Sequence, residues 1–215
     1  MKVLAIDGAL GGFSAAIAAE GAIVAARSEP ANVALEMGLV ALRAVLIDAG
    51  LQPVQLDRLA IGTGPGAFTG LRIAIAYAKS LAQAWSLDLV AVSSFDLLEF
   101  GTAFDRVLTI VEGRPGVISV RYRDGKKTQR ASGRTCDVLS AIAPADARAL
   151  PVVGASKDVL AELAERGIIV QSHHPRVTPP AAAAALAAAT REPARSIHEV
   201  SADYGELPAA KIPAF

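Results

Sequence analysis

Apolar residues along this chain come in short runs broken by glycine turns. Residues 2–7, 13–19 and 22–26 each read as a strand, with turns at Gly11-Gly12 and Glu20-Gly21 between them. Helical spacing follows over 34–49, closed by Gly50, then an apolar strand at 59–61 and a helix over 70–85. A strand at 88–92 and a helical segment at 95–100 lead to mid-chain. There the opening grammar returns: a strand at 106–110, Glu112-Gly113, a turn at Gly116, a strand at 117–123 and a turn at Asp124-Gly125. Strands at 150–154 and 168–171 flank a helix at 157–166. Pro179-Pro180 opens an alanine-rich helix at 181–190, which Pro193 stops, and the tail from 199 reads as extended.

The two strand triplets align at an offset of about a hundred residues, with one insertion before Glu112. Mixed strand and helix follows each. Two β-β-β-α-β-α subdomains related by duplication predict an α/β protein of actin-like (ASKHA, ribonuclease-H-type) architecture, with the acid-glycine turns facing a common cleft. The boundary falls near 101–105, giving an N-terminal subdomain at 1–103 and a smaller C-terminal one at 104–215.

The segment Gly62-Thr-Gly-Pro-Gly-Ala-Phe-Thr-Gly-Leu-Arg72 packs four glycines and a proline between a strand and a long helix, with Thr69 at the N-cap position. A strand–glycine loop–helix can cradle an anion on free backbone N–H groups. No Gly-Lys-Ser/Thr follows, so it is not a Walker A loop, and the dinucleotide spacing fails. The helix behind it has one narrow polar stripe (Arg72, Lys79, Gln83), and the helix at 34–49 has two apolar sides. A surface helix needs an apolar face only a little over ~100° wide. The two helices either cover each other or meet a partner chain; the partner is the sharper reading. The residues assigned to that interface are Leu35, Leu39, Leu42, Leu46, Thr69, Leu71, Arg72, Ile75, Ala78 and Ala82.

Composition narrows the function classes. Lys+Arg and Asp+Glu are 21 each, so the chain as a whole lacks the basic balance that holds nucleic acid. A single cysteine, Cys136, suits a reducing compartment, and no apolar run is long enough for a bilayer; a cytoplasmic protein without membrane contact is expected. Catalytic constellations are thin. His173 and His174 are adjacent and precede Pro175, a pattern of a solvated loop more than a metal site. Ser14, Ser93 and Ser94 have no histidine at a motif spacing. Asp7 and Glu112 stand where an actin-like kinase would hold Mg²⁺, yet Leu10 and Phe13 crowd the first turn and no hydroxyl follows Asp7. Asp7, Gly8, Gly64, Gly66, Gly70 and Glu112 are therefore read as a degenerate phosphate turn, with no catalytic and no metal-binding residues.

Gly64-Pro-Gly-Ala-Phe-Thr-Gly-Leu-Arg-Ile73 closely resembles the Gly-Pro-Gly-Ser/Ala-Phe-Thr-Gly-Leu/Val-Arg signature of the TsaB (YeaZ) family. The opening Val3-Leu-Ala-Ile-Asp7 is similar to that family's start, Arg114 and Gly116 match its second turn, and 204–211 resembles its closing motif. Gly8, Glu112 and Glu206 depart from the pattern, at positions that shape a nucleotide cleft or the C-terminal closure. The resemblance implies a non-catalytic scaffold subunit in synthesis of threonylcarbamoyladenosine at position 37 of tRNA. Its implied partners are a TsaD-type catalytic paralogue and a TsaE-type P-loop ATPase, with tRNA met only through the complex. The two helices would make a four-helix contact with the partner's equivalents, or pair with themselves as a homodimer. No cofactor is expected on the isolated chain; ATP or ADP at the assembled complex is left open. The alternative is an actin-like ATP-binding kinase or hydrolase acting on a small molecule.

Overall fold

Two five-stranded mixed sheets organise the computed structural model, which describes residues 1–142, 149–174 and 179–205. In the first half, β1 (Lys2–Asp7), β2 (Phe13–Ala19) and β3 (Ala22–Glu29) form an antiparallel meander. It continues through α1 (Ala34–Asp48), β4 (Arg58–Gly62), α2 (Phe68–Trp85), β5 (Asp88–Val92) and α3 (Ser94–Glu99). The second half repeats that order: β6 (Arg106–Glu112), β7 (Val117–Asp124), β8 (Lys127–Arg134), α4 (Thr135–Ile142), β9 (Leu150–Val153), α5 (Lys157–Glu165), β10 (Val170–His174) and α6 (Pro180–Ala187). Sheet orders are β3-β2-β1-β4-β5 and β8-β7-β6-β9-β10, the same order at matching positions. The duplication is thus present in the topology, and the chain has the actin-like α/β fold. Each half carries one strand–helix pair more than the expected β-β-β-α-β-α.

The first sheet is covered on both faces, which is why β1 and β2 read as near-continuous apolar runs. Alternation along β2 shows the two sides. Phe13 meets Tyr77 of α2 edge-to-face, while the hydroxyl of the next residue, Ser14, accepts the Ala181 N–H of α6 at 3.2 Å. So α1 and α2 lie together on one side and α6 on the other. The second sheet buries Leu108, Ile110, Ile118 and Val120 against Val138, Leu139 and Leu163 of α4 and α5. Its opposite face, with Thr109 and Arg121, turns to α3. The two short helices α3 and α6 therefore sit between the sheets and touch one another. The connection after residue 103 runs from α3 to β6, while α6, beyond it in sequence, packs on the first sheet.

Several element boundaries move. The long helix starts at Phe68, and its N-cap position is Ala67, not Thr69, which lies exposed in the first turn. The alanine-rich helix ends at Ala187, before Pro193. His173 and His174 close β10 and are in a strand, not a loop. The tail is pinned where it passes β5 and the glycine loop: Ala194 donates its N–H to the Leu89 carbonyl at 2.9 Å, and Asp203 to that of Thr63 at 2.8 Å. Glu206 and the rest of the closing motif lie outside the described residues. Among the described residues, no helix is long and apolar enough to cross a membrane.

Candidate functional site: a filled glycine cradle and an exposed helix pair

The glycine loop carries the first half's βα turn, and the chain itself occupies the space its glycines leave. A Cβ on Gly70 would fall on the carbonyl oxygen of Gly8, and one on Gly8 would fall on that of Gly70. End of β1 and start of α2 thus meet backbone to backbone. Gly66, at φ +156°, lets the loop press on the Ala9 carbonyl, which accepts the Ala67 N–H at 2.8 Å. Gly62 leaves room for the Asp7 carboxylate and Gly64 for the Asp203 carbonyl. Asp7 itself is fully buried, and its Oδ1 accepts the Leu10 N–H at 3.1 Å. Its carboxylate serves the turn between β1 and β2, the turn that Leu10 and Phe13 crowd.

Glu112 occupies the matching place at the end of β6, inside the strand instead of in the turn after it. Its Oε1 accepts the Ser156 N–H at 2.5 Å, and Ser156 in turn caps α5 by accepting the Val159 N–H. Asp7, Gly8, Gly66 and Gly70 are thus brought together, Gly64 is held by the tail, and Glu112 is engaged with its own half. The halves come close at the turns, where a Cβ on Gly113 would lie 4.0 Å from the Gly66 carbonyl. Beside the loop, a shallow hollow of about 200 Å³ is lined by Pro65, Phe95, Arg130, Ser132, Asp203 and Gly205.

Sequence reading missed a polar joint between the halves. On α3, Asp96 and Glu99 face Arg121 and Arg123 of β7. Arg121 lies 2.5 Å from Asp96 and 2.9 Å from Glu99, Arg123 lies 3.1 Å from Glu99, and Arg191 lies 2.9 Å from Asp96. Thr109 of β6 donates its hydroxyl to the same Glu99 carboxylate. Burial pushes the Asp96 carboxyl up and is the largest single influence. The hydrogen bonds and charges of Arg121, then Arg191, together outweigh it and hold the group below its ordinary value. A charged residue every second position in β7 (Arg121, Arg123) was the available signal. It reads as solvent-facing until the helix on that face is known.

The helix faces need correction. Leu42, Leu71, Ile75, Ala78 and Ala82 are buried in the chain's own core and are not offered to a partner. On α1 the inward stripe is Gly38, Ala41, Leu42 and Val45, against β2 and β3. On α2 it is Leu71, Ala74, Ile75, Ala78 and Ala82, against β4 and β1. The helices also touch each other, with the Tyr77 ring lying over Gly38. What stays outward is apolar nonetheless: Leu39 is 52%, Val40 53% and Ile47 66% exposed on α1, and Phe68 is 53% exposed on α2. Leu46 is half-buried, Thr69 and Arg72 are exposed, and the Leu35 side chain lies outside the described residues. Arg72 stacks on Phe68 at 4.2 Å and donates its Nε–H to the Tyr204 hydroxyl at 3.1 Å, tying the α2 start to the tail.

Comparison with known proteins gives this geometry a context. Residues 35–201 match the family model described as TsaD: tRNA N6-adenosine threonylcarbamoyltransferase. The chain is 36% identical over 92 residues to the tRNA threonylcarbamoyladenosine biosynthesis protein TsaB of Bacillus subtilis, covering 40% of this chain and 39% of that protein. It is 30% identical over 122 residues to TsaB of Escherichia coli, covering 55% and 53%. The alignments thus span about half the length of these curated relatives, or less. A crystal structure from Pseudomonas aeruginosa, described as similar to peptidase YeaZ, superposes with a TM-score of 0.75 at 24% identity over 95% of this chain and 99% of that one. The fold is therefore that of YeaZ, and the chain belongs to the TsaD tRNA N6-adenosine threonylcarbamoyltransferase family as a relative of its TsaB (YeaZ) members.

Proposed function

We propose that this chain is a non-catalytic scaffold in threonylcarbamoyladenosine synthesis at position 37 of tRNA, pairing with a TsaD-type catalytic subunit. A TsaE-type ATPase joins the same assembly, tRNA is met in the complex, and any ATP or ADP belongs to the assembled interface. The observation that carries the reading is the filled cradle: Gly8, Gly66 and Gly70 are used by backbone-to-backbone packing of the chain on itself. The two acids that a phosphotransferase would aim at Mg²⁺ are likewise occupied, by Leu10 and Ser156 N–H groups. Pairing is assigned to the outward side of α1 and the start of α2, around Leu39, Val40, Ile47 and Phe68, since an apolar surface of this kind marks an interface. Without the partner, the same side serves for self-pairing.

The test is binding of the TsaD-type protein to Leu39→Asp and Val40→Asp variants by calorimetry and size exclusion. A carboxylate buried unpaired in an apolar contact costs several kcal/mol, roughly a hundredfold or more in affinity. Both side chains are exposed, so the melting temperature should stay at the wild-type value. Undiminished binding would remove α1 from the interface. Tight Mg²⁺·ATP binding by the isolated chain, with turnover of a small molecule, would favour an actin-like enzyme instead.

A further inference from the structure

The chain is neutral as a whole, but its charge is not spread evenly. Residues 121–134, the end of β7, the turn and β8, hold six of the 21 lysines and arginines and one of the 21 acids. The rest of the molecule is net acidic. Two of the six, Arg121 and Arg123, are consumed by Asp96 and Glu99 in the joint between the halves. The other four, Lys126, Lys127, Arg130 and Arg134, are exposed, and among the described residues none of them has an acidic partner. Arg130 also lies over the Phe95 ring at 5.3 Å, which holds its guanidinium near the sheet face.

These four cations sit on an edge. In the order β8-β7-β6-β9-β10, β8 pairs only with β7, so its outer side faces solvent. From Lys127 to Arg134 the strand spans about 23 Å at ~3.3 Å per residue, a length that meets several phosphates. The neighbouring exposed side chains, Thr128 and Gln129, are hydrogen-bonding groups, and no large apolar residue of β8 points outward to enter a lipid interface. The edge also lies on the second sheet, on different elements from the α1–α2 surface. One molecule can therefore use both.

We propose that β8 and its turn, through Lys126, Lys127, Arg130 and Arg134, form a binding surface for the phosphodiester backbone of RNA. This subunit would then touch the tRNA directly instead of only holding the catalytic partner. The interaction is charge to phosphate, so it positions the RNA without reading its sequence. It rests on the reading that the chain works in a tRNA-modifying assembly.

The test uses the chain assembled with its TsaD-type partner and an unmodified tRNA transcript, titrated by fluorescence anisotropy across a salt series. The variant is Lys126→Gln/Lys127→Gln/Arg134→Gln, which leaves Arg130 in place over Phe95. Each phosphate that is no longer neutralised lowers the salt slope by about 1, so the slope should fall by about 3 and affinity by roughly a hundredfold or more at ~0.1 M salt. A slope unchanged within ~0.5 would overturn the proposal, and the charges would then serve to keep a free edge from aggregating. Vesicles of phosphatidylcholine and phosphatidylserine are the second probe: vesicle binding that disappears in the variant while the tRNA slope holds would reassign the edge to lipid and overturn it too. If no assembly forms, the scaffold reading fails by itself. The isolated chain against the same transcript then decides the RNA proposal by the same slope criterion.

Discussion

Gly70→Ala puts the account of the glycine loop at risk with one methyl group. The added Cβ would overlap the carbonyl oxygen of Gly8, and the obstacle is backbone, not the end of a flexible side chain. One side must retreat by roughly an ångström, in an interior packed as densely as an organic crystal. Neither side is free to do so. Residues 2–7 are paired to β2 and β4, and the start of α2 is tied to the Ala9 carbonyl and anchored by fully buried Leu71 and Ala74. Overpacking costs ~1–3 kcal/mol, and a backbone clash lies at the top of that range. For a chain of this size each kcal/mol lowers the melting temperature by ~2–4 °C, so about 6–12 °C is expected. Gly8→Ala should cost a similar amount, and the double variant less than the sum, because both strain the same close approach. Circular dichroism melts of the three variants, with calorimetry against Mg²⁺·ATP, make the measurement. A melting temperature within about 2 °C of wild type, together with loss of nucleotide binding, would show that Gly70 keeps room for an anion.

Three further outcomes follow from the core and the joint. Glu99→Gln leaves Arg121 buried with half its counter-charge, and urea unfolding should show a loss of about 3 kcal/mol; a loss under ~1 would mean the joint is solvated. Asp96 titrates below its ordinary value when folded, so the unfolded chain takes up the proton first as pH falls. Its stabilisation is full above about pH 4 and is lost on going lower, and Asp96→Asn should flatten that acid limb in unfolding curves taken from about pH 2.5 to 6. Ile75→Asp, unlike Leu39→Asp, places a carboxylate in the core and should unfold the protein, not merely unpair it; a folded, soluble Ile75→Asp would reverse the assignment of the α2 faces.

What the sequence announced was whatever one element settles by itself. The apolar runs of β1, β2 and β6 and the turns at Glu20-Gly21 and Asp124-Gly125 state their own structure, and the repeat between halves could be read from them. β8 could not, because Lys127–Arg134 has no apolar alternation and becomes a strand only by pairing with β7. The alanines of α2 misled for a related reason. An all-apolar helix face asks for a neighbour, but periodicity does not say whether that neighbour is a partner or the chain's own sheet. Here Ala74, Ala78 and Ala82 allow close approach to β4. The place of α6, from the far end of the chain, on the first sheet is a long-range contact with no local sign. At the glycine loop, residue types marked the spot correctly. Which atoms fill it depends on Ala9 and Asp203, one upstream and one far downstream.

Threonylcarbamoyladenosine content of tRNA, measured by mass spectrometry in a reaction reconstituted with the TsaD-type partner, tests the central claim most directly. Asp7→Asn keeps an acceptor for the Leu10 N–H, and Glu112→Gln keeps one for Ser156, so both variants should support modification at close to the wild-type level. Leu39→Asp/Val40→Asp, folded but with a charged α1 surface, should support almost none. Loss of modification in the two carboxylate variants while they remain folded and partner-bound, with the α1 variant fully active, would contradict the scaffold account.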